Sequence, residues 1–395
     1  MSQQPPPLAI EEFLAEKLHR IDASHLRRRL RRIDSPQGPE VVIDGRRVIN
    51  FSSNDYLGLA NEPFLVEEFQ RAVRDFGTGS GASRSISGTL APHIRLEETL
   101  ASFKNLPAAL ATGSGHATAV GVIPAMVGPG DVVILDKLAH ACLIDGARLS
   151  GATMRIFRHN DIGRLEELLL WASRKHPSAR VLIATESVFS MDGDIAPLEE
   201  IVNLKERHGA WLMLDEAHGL GVLGEDGRGL AHALDLHERI EIHMGTLGKA
   251  VGVSGGYIAG SRNLVDFLIN SCRSFIFSTA PPAAQAAAAR ASLDWIAGPA
   301  GRKRIAALAG NRTHLRDLCP EILPGIPPTA IVPIPVGDEA RAVQLAARSL
   351  DAGVFIPAVR FPTVSKGRAR LRLTLTATHT AEHLEAAAKV LRMSA

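Results

Sequence analysis

The amino-acid sequence predicts an α/β fold with a mainly parallel sheet, followed towards the C-terminus by a smaller α+β unit. Short apolar runs alternate with helical patterns through the middle of the chain, which is typical of βαβ units. Pro92–Phe103 is one such helical pattern, because Leu96, Leu100 and Phe103 recur at helical spacing. The length of 395 residues exceeds the size at which a single core keeps growing, so we expect at least two subdomains.

Six short apolar runs are the predicted strands of the large sheet. In chain order they are Ala108–Ala111, Val132–Leu135, Val181–Thr185, Trp211–Leu214, Ile240–Met244 and Tyr257–Ala259. The pattern changes at Pro281–Pro282, after which Ala283–Ile296 is an Ala-rich predicted helix. The smaller unit follows, with two predicted strands and a closing helix near Ile331–Val336, Leu371–Thr376 and Ala381–Arg392.

The first fifty residues predict a helix over Ile10–Leu30 and a hairpin around Asp44-Gly45, a dipeptide that favours two-residue turns. A basic run, His25–Arg32, overlaps the end of this predicted helix. Such a run is usually one solvated face of a helix, and the alternative is that it attracts an anionic substrate. We expect three parts: an N-terminal helix and hairpin (1–55), a large domain (56–285) and a C-terminal α+β domain (286–395).

Composition argues against several classes of protein. The formal net charge is +2, which argues against bulk binding to nucleic acid or to a membrane. No apolar stretch approaches the roughly 18 residues that span a bilayer, and the opening residues lack the pattern of a secretory signal. The three cysteines are widely spaced, so we expect neither disulfides nor a metal site. These features favour a cytoplasmic protein.

Lys249 is the first candidate for chemistry, because it lies in the glycine-rich segment GTLGKAVGVSGG. Small neighbours leave room for a flat ring beside the amine. A sheltered lysine also has a lowered pKa, which suits Schiff-base chemistry. Taken alone, the segment is equally typical of a surface lysine on a flexible loop.

Asp215 follows the predicted strand Trp211–Leu214, and α/β proteins bind ligands at the carboxyl ends of parallel strands. A carboxylate aimed at a pyridine nitrogen keeps that nitrogen protonated and the ring electron-withdrawing. His218, three residues later, could then reach a phenolic oxygen of the same ring. The alternatives are that Asp215 caps the next helix and that His218 is a buried structural histidine.

The residues Asp215 to His218 also spell the DEAH box of helicases. A helicase needs a GxxxxGK[ST] phosphate-binding loop upstream of that box. The chain has none, since its one Gly-Lys dipeptide, Gly248-Lys249, follows the box and precedes Ala250. The helicase interpretation is therefore excluded.

Three further positions are candidates for binding. The turn Ser114-Gly115-His116 precedes a predicted helix, Ala117–Met126, whose first backbone N–H groups could bind a phosphate. His140 could stack on a planar cofactor. Arg370 and Arg372 share one face of a strand, which suits recognition of a carboxylate. The alternatives are a structural turn, a buried histidine and a solvated strand face.

Several long blocks of sequence resemble the α-oxoamine synthases, a family of pyridoxal-phosphate (PLP) enzymes that join an amino acid to an acyl-CoA and release CO2. The resemblance covers about Phe51 to His379. Its blocks are NFSSNDYLGLA (Asn50–Ala60), GTGSGASRSISG (Gly77–Gly88), HACLIDGARLSGA (His140–Ala152), ESVFSMDGDIAPL (Glu186–Leu198), DEAHGLGVLGEDGRG (Asp215–Gly229), GTLGKAVGVSGGY (Gly245–Tyr257) and GRARLRLTLTATHT (Gly367–Thr380).

The resemblance implies PLP as cofactor and the fold-type-I, aspartate-aminotransferase-like architecture. It implies that Lys249 forms the Schiff base, that Asp215 pairs with the pyridine nitrogen, that His218 bonds the ring oxygen and that His140 stacks on the ring. Ser190 and Thr246 resemble further cofactor contacts, and the turn at Ser114, Gly115 and His116 falls at the phosphate. Thr279 resembles a phosphate contact from the neighbouring subunit of a homodimer with composite sites. Asn54 and Arg372 match residues that hold the amino-acid carboxylate, and Glu186 lines the same cavity.

The resemblance has one departure and one open question. His116 stands where the family usually has an aromatic residue, and Ala119 where it has Asn, which affects packing around the phosphate. The stretch IPAVRFPTVSKGRARLRLTLTATHT is most similar to the member that joins L-alanine to a pimeloyl thioester. The alternatives are glycine with acetyl-CoA, or a longer acyl-CoA. Arg360 could meet the distal carboxylate of a pimeloyl chain or be a solvated loop residue.

Overall fold

The computed structural model describes residues 9–24, 26–28, 30–323, 325 and 327–394. Its strands are β1 (Glu40–Ile43), β2 (Arg46–Asn50), β3 (Ala108–Thr112), β4 (Val132–Asp136), β5 (Thr153–Phe157), β6 (Val181–Glu186), β7 (Trp211–Asp215), β8 (Ile242–Thr246), β9 (Gly256–Gly260), β10 (Ile331–Gly337), β11 (Val354–Phe355), β12 (Ala358–Val359) and β13 (Ala369–Thr374). Its helices are α1 (Ile10–Ala23), α2 (Pro63–Phe76), α3 (Ala91–Phe103), α4 (Gly115–Met126), α5 (Ala141–Ser150), α6 (Ile162–Lys175), α7 (Leu198–Arg207), α8 (Leu230–Ala233), α9 (Arg262–Ser271), α10 (Arg273–Ile276), α11 (Ala283–Ala297), α12 (Pro299–Leu318), α13 (Glu339–Asp351) and α14 (Ala381–Ser394), with a 3₁₀ turn at His237–Arg239. Among these described helices, none is both long and apolar enough to cross a bilayer.

A seven-stranded sheet forms the centre of the molecule, in the order β3-β9-β8-β7-β6-β4-β5. Strands β5, β4, β6, β7 and β8 run parallel, whereas β9 is antiparallel to both neighbours. Apolar residues of α4, α5 and α9 pack on one face of the sheet, and those of α6 and α7 pack on the other. The predicted α/β class is confirmed, and all six predicted strands form within two residues of their expected bounds.

The sequence does not predict β5, the strand at one edge of this sheet. Only Phe157 of its five residues is buried, and Ile156 is exposed. Strands covered on both faces are continuous apolar runs, whereas an edge strand keeps part of its surface in water. The segment TMRIF therefore lacks the signal that marks the other six strands.

Two three-stranded sheets, β1-β2-β11 and β10-β13-β12, lie outside the central one. The predicted hairpin joins β1 to β2, and its turn residues Asp44 and Gly45 both have positive φ, 51° and 75°. Strand β11, from the C-terminal part of the chain, pairs in parallel with β2. The two ends of the chain are thus joined, and the division into 1–55, 56–285 and 286–395 stays a prediction.

The predicted helix Ile10–Leu30 is wrong in its second half, because α1 ends at Ala23. His25 and Arg29 of the basic run lie outside the described residues, and the described residues of the run have no helical structure. Its side chains contact the C-terminal part of the molecule: Arg28 donates to Thr363 Oγ1 at 3.4 Å, and the Arg31 guanidinium lies over the Phe355 ring. The described arginines of the run remain exposed, as predicted, but they lie outside a helix and make tertiary contacts that a local charge pattern does not reveal.

Candidate active site

Polar residues end three adjacent strands of the central sheet. Glu186 ends β6, Asp215 ends β7 and Thr246 ends β8. Glu186 lies opposite Asp215 in the ladder, and Asp215 lies opposite Met244. Because parallel strands bring their carboxyl ends to one edge, this is where such a sheet binds ligands.

Asp215 is buried, with 4% of its surface exposed, so it does not lie in a solvated turn. Its Oδ1 accepts a hydrogen bond of 2.9 Å from the backbone N–H of Ala217. Burial raises the pKa of Asp215, while the nearby charge of Lys249 and the Ala217 N–H oppose that rise. A buried carboxylate of this kind is stabilised by a cationic partner, such as a protonated ring nitrogen.

Glu186 is equally buried beside Asp215. Burial raises its pKa well above the usual range, and the charge of Asp215 adds to the rise. Among the described residues, Glu186 Oε1 has no hydrogen-bond partner. A buried polar atom without a partner has a free site for a ligand to occupy.

Lys249 follows β8 in the glycine-rich segment, and its Nζ lies 2.8 Å from His218 Nε2. Burial lowers the pKa of the Lys249 amine, and the positive charge of Arg372 acts in the same direction, whereas Asp215 and Glu186 oppose it. These contacts exclude the alternative that Lys249 is a surface lysine on a flexible loop. A lysine that loses its proton readily is suited to nucleophilic and general-base chemistry.

A chain of hydrogen bonds connects Lys249 to Arg372. His218 Nδ1 contacts the Tyr56 hydroxyl, Tyr56 donates to Asn54 Oδ1 at 3.2 Å, and Arg372 Nη1 donates to the same oxygen at 3.2 Å. Since Tyr56 donates to Asn54, its oxygen accepts from His218 Nδ1–H, which leaves Nε2 to accept from Lys249. Burial lowers the pKa of His218 well below its ordinary value, with Lys249 and Arg372 adding to the effect, in keeping with a neutral ring.

Tyr56 is the member of this hydrogen-bonded chain that sequence reasoning missed. It is fully buried, and burial raises its pKa to about 12, so it stays a hydroxyl donor. Tyr56 lies within the block NFSSNDYLGLA, two residues after Asn54. Its place in this family-like block was the available signal, because its partner His218 lies 162 residues away along the chain.

Arg370 and Arg372 do share one face of β13, and both are buried. Arg372 donates from Nε to the Ser190 carbonyl oxygen at 2.7 Å and from Nη1 to Thr374 Oγ1 at 3.0 Å. Arg370 instead forms an ion pair of 2.5 Å with Asp192. The solvated-face alternative is thus excluded, and Arg372 is the arginine in contact with the chain that leads to Lys249.

The predicted phosphate turn lies against β8. Ser114 caps α4 by accepting from the Ala117 N–H at 3.0 Å, so the helix begins at Gly115, two residues earlier than predicted. A Cβ atom on Gly115 would lie 3.5 Å from Thr246 Cβ, which brings the turn and Thr246 together. His116 is exposed. The backbone N–H groups at this helix start are the donors that a phosphate prefers.

Ala119, the second departure from the family pattern, is fully buried between α4 and α5. A Cβ atom added to Gly146 of α5 would come within 2.7 Å of the Ala119 carbonyl oxygen. The two helices therefore cross closely at this point. The absence of a side chain at position 146 permits this crossing.

Four other predicted residues take no part, through their side chains, in the hydrogen-bonded chain from Lys249 to Arg372. His140 caps α5, with Nδ1 accepting from the Cys142 N–H at 3.3 Å, and burial lowers the pKa of its ring. Ser190 contributes its carbonyl oxygen rather than its hydroxyl to Arg372. Thr279 is exposed and forms an isolated bridge with Ser83. Arg360 follows β12 and donates to the Arg27 carbonyl oxygen at 3.4 Å.

This donor set fits PLP. The cofactor needs an amine for its aldehyde, an acid for its ring nitrogen and N–H donors for its phosphate. Lys249 supplies the amine, Asp215 the buried acid and the start of α4 the N–H donors. The residues that the structure describes include no group of His, Cys, Asp and Glu side chains arranged to hold a metal ion.

The model of the family described as aminotransferase class I and II matches residues 46–391. The chain belongs to this family. The aminotransferase class I and II proteins are PLP-dependent, and the fold-type-I architecture predicted from sequence is confirmed for this member.

Relatives within the aminotransferase class I and II family include proteins named 8-amino-7-oxononanoate synthase. Those of Geobacter metallireducens and Geobacter sulfurreducens are each 47% identical to this chain, covering 95% of it and 96% and 95% of their own lengths. Among solved structures, a serine palmitoyltransferase variant from S. paucimobilis with a bound PLP–myriocin aldimine aligns with a TM-score of 0.90 at 28% identity, over 97% of this chain and 96% of that one. The 8-amino-7-oxononanoate synthase of Francisella tularensis aligns with a TM-score of 0.75 at 26% identity, over 88% and 97%. The predicted resemblance to the α-oxoamine synthases is confirmed.

Proposed function

We propose that the protein condenses L-alanine with pimeloyl-CoA or another pimeloyl thioester, forming 8-amino-7-oxononanoate for biotin biosynthesis and releasing CO2 and the free thiol. The observation that carries this proposal is the set of relatives bearing that enzyme's name, which align with nearly the whole chain at 43–47% identity. The buried amine, acid and arginine of the candidate site supply the groups that such a reaction needs.

Bound pyridoxal phosphate would supply a conjugated ring that takes up the electron pair left when a bond to the substrate Cα breaks. The residues proposed to hold it extend from the starts of α4 and α5 to the ends of β6, β7 and β8 and the segments that follow them. They are Ser114, Gly115, His116, His140, Glu186, Ser190, Asp215, His218, Thr246 and Lys249. Asp215 would keep the ring nitrogen protonated, which supports electron withdrawal.

Lys249 is the proposed point of cofactor attachment and the proposed general base. Burial lowers the pKa of its amine, so the neutral form that accepts a proton from Cα becomes accessible. His218 accepts a hydrogen bond from this amine and holds it on one side of the cavity. In the same cavity Arg372 and Asn54 are proposed to bind the carboxylate of the amino acid, which fixes the orientation of Cα.

Arg360 is proposed to meet the distal carboxylate of the pimeloyl chain. Support comes from its position three residues after Pro357, whose carbonyl oxygen accepts from the Arg372 backbone N–H at 3.1 Å. Three residues of extended chain span about 10 Å. The backbone at Arg360 therefore lies within about 10 Å of the residue that pairs with Arg372.

We also propose a homodimer with composite active sites, acting in the cytoplasm. Thr279 is exposed beside Ser83, and Phe277 and Ile86 in the same two segments expose 71% and 80% of their surface. An exposed apolar pair next to a predicted phosphate contact is typical of a subunit interface. The three cysteines are free and buried, which suits a reducing compartment.

A thiol-release assay tests the proposal. Glycine, L-alanine and L-serine are each combined with acetyl, pimeloyl and palmitoyl thioesters, and free thiol is followed. We expect the highest kcat/KM for alanine with the pimeloyl thioester. A preference for glycine with acetyl-CoA, or for serine with a palmitoyl thioester, would refute the substrate assignment while leaving the reaction class in place.

A further inference from the structure

His159, a half-buried histidine outside the cavity described above, links the ends of two strands. Its Nδ1 lies 3.0 Å from Oδ1 of Asp136, the last residue of β4, and its Nε2 lies 2.6 Å from Oδ2 of Asp194, beyond β6. Ionised carboxylates accept hydrogen bonds, so both ring nitrogens donate and the ring is an imidazolium. Burial opposes this charge, but the hydrogen bonds to Asp136 and Asp194 raise the pKa of His159 to about 10.

Asp194 belongs to the loop that leads from β6 to α7, here called the 187–196 loop. The backbone N–H of Phe189 donates to the Asp194 carbonyl oxygen at 3.0 Å, and that of Gly193 donates to the Phe189 carbonyl oxygen at 2.8 Å. The His159 ring also packs edge-on against the Phe189 ring, with centroids 4.3 Å apart. His159 thus contacts both sides of the loop at its base.

The tip of the 187–196 loop contacts Arg372, the arginine proposed to bind the amino-acid carboxylate. The Ser190 carbonyl oxygen accepts from Arg372 Nε at 2.7 Å, and Asp192 pairs with Arg370 at 2.5 Å. The Gly193 carbonyl oxygen accepts from Thr329 Oγ1 at 2.7 Å. A displacement of the loop would therefore displace one of the three acceptors that orient the Arg372 guanidinium, the one that binds Nε.

We propose that His159 is a positioning residue, whose imidazolium between Asp136 and Asp194 fixes the 187–196 loop and thereby orients Arg372 towards the amino-acid carboxylate. This inference rests on the proposed function, because it assumes that Arg372 binds that carboxylate. If His159 had a purely structural role, its replacement would lower the free energy of unfolding and affect the KM values of both substrates alike. A positioning role acts on the amino acid and spares the acyl thioester.

The test compares His159→Gln with His176→Gln in the holoenzyme. His176 is a matched control, since it is also half-buried beside an aromatic ring, that of Trp171, but lies at the other end of α6. We expect the KM for alanine to rise roughly tenfold in His159→Gln, the effect of weakening one charge-assisted hydrogen bond. The KM for the thioester and the cofactor absorbance should stay at the level of His176→Gln.

A double-mutant cycle with Arg372→Lys tests whether His159 acts through Arg372. If it does, the two losses in alanine affinity are not additive, because one variant already removes what the other would misplace. Additive losses, an unchanged KM for alanine, or equal losses for both substrates would overturn the inference.

Two further measurements keep the result interpretable. If His159→Gln does not fold, Asp194→Asn removes one of the two carboxylates and is expected to show the same selective loss for alanine. If the wild-type enzyme releases no thiol with any substrate pair, the proposed function falls. Alanine binding, followed by the change in cofactor absorbance, then still tests His159: equal affinity in wild type and His159→Gln would overturn the positioning role.

Discussion

Tyr56→Phe removes one hydroxyl group from the hydrogen-bonded chain between Lys249 and Arg372. Two partners of that hydroxyl are affected unequally. Asn54 Oδ1 keeps its hydrogen bond from Arg372 at 3.2 Å, so it remains paired. His218 Nδ1 loses the partner that the structure gives it and is left buried.

The expected magnitude follows from that one orphaned atom. A buried donor without a partner costs about 1–3 kcal/mol. The neutral His218 ring can instead rotate so that Nδ1 meets another acceptor, and it then no longer accepts the hydrogen bond from the Lys249 amine. In that case the variant loses catalytic rate and keeps its free energy of unfolding. A loss of about 1–3 kcal/mol in transition-state stabilisation corresponds to a decrease of roughly five- to 150-fold in kcat/KM.

The second tyrosine of the chain is a matched control. Tyr257 is also fully buried, but its hydroxyl has no hydrogen-bond partner among the described residues. Tyr257→Phe removes a buried hydroxyl group that has lost its hydrogen bonds to water and gained none in the protein. The free energy of unfolding should therefore stay constant or rise. The two variants delete the same atom and differ in what it contacts.

Steady-state thiol release, cofactor absorbance and denaturant unfolding are measured for both variants. Tyr56→Phe is expected to retain the cofactor, lose kcat/KM for alanine and show a changed pH–rate profile, since the ring that holds the proposed base has moved. If Tyr56→Phe and Tyr257→Phe behaved alike in all three measurements, the hydrogen-bonded chain would have no functional role.

Three further predictions concern the proposed reaction. The purified protein should absorb visible light and be bleached by borohydride, and peptide mapping should then find the cofactor on Lys249; attachment to another lysine would refute the assignment. Asp215→Asn should bind the cofactor but slow Cα deprotonation by orders of magnitude, measured by hydrogen exchange from alanine; near-normal exchange would contradict the role of Asp215. Arg372→Ala should weaken every amino acid roughly ten- to hundredfold, whereas Arg360→Ala should weaken a pimeloyl thioester and spare an uncharged acyl chain of equal length. Equal losses for both chains would mean that Arg360 shapes its loop.

Sequence reasoning located the residues of the site whose signal is local, at the end of a strand or shortly after one. Asp215 could be placed because it ends an apolar run, and Lys249 because it stands among glycines. Both features are local, and the rule that parallel strands bind ligands at their carboxyl ends brings them together.

Contacts between distant segments could not be found in this way. Tyr56 meets His218, and His159 meets Asp194, across tertiary packing that has no signature in spacing. The same limit explains why the predicted end of the first helix, Leu30, is wrong. The charge pattern after Ala23 predicts a helix, but Arg28 and Arg31 contact the C-terminal part of the molecule instead. The edge strand β5 was missed because half-exposed strands lack a continuous apolar run.

The pairing of β2 with β11 has a consequence for the order in which the protein assembles. Ile49 pairs with Val354, so this contact closes a loop of 354 − 49 = 305 residues. Long-range pairing is slow, because its entropy cost is met before its contacts form. Asn54 follows β2 closely, whereas Arg372 lies in β13, further along the chain than β11, and the two side chains are hydrogen-bonded. During synthesis, therefore, the hydrogen bond between Asn54 and Arg372, which connects Arg372 to the chain that leads to Lys249, cannot form until β13 has been made.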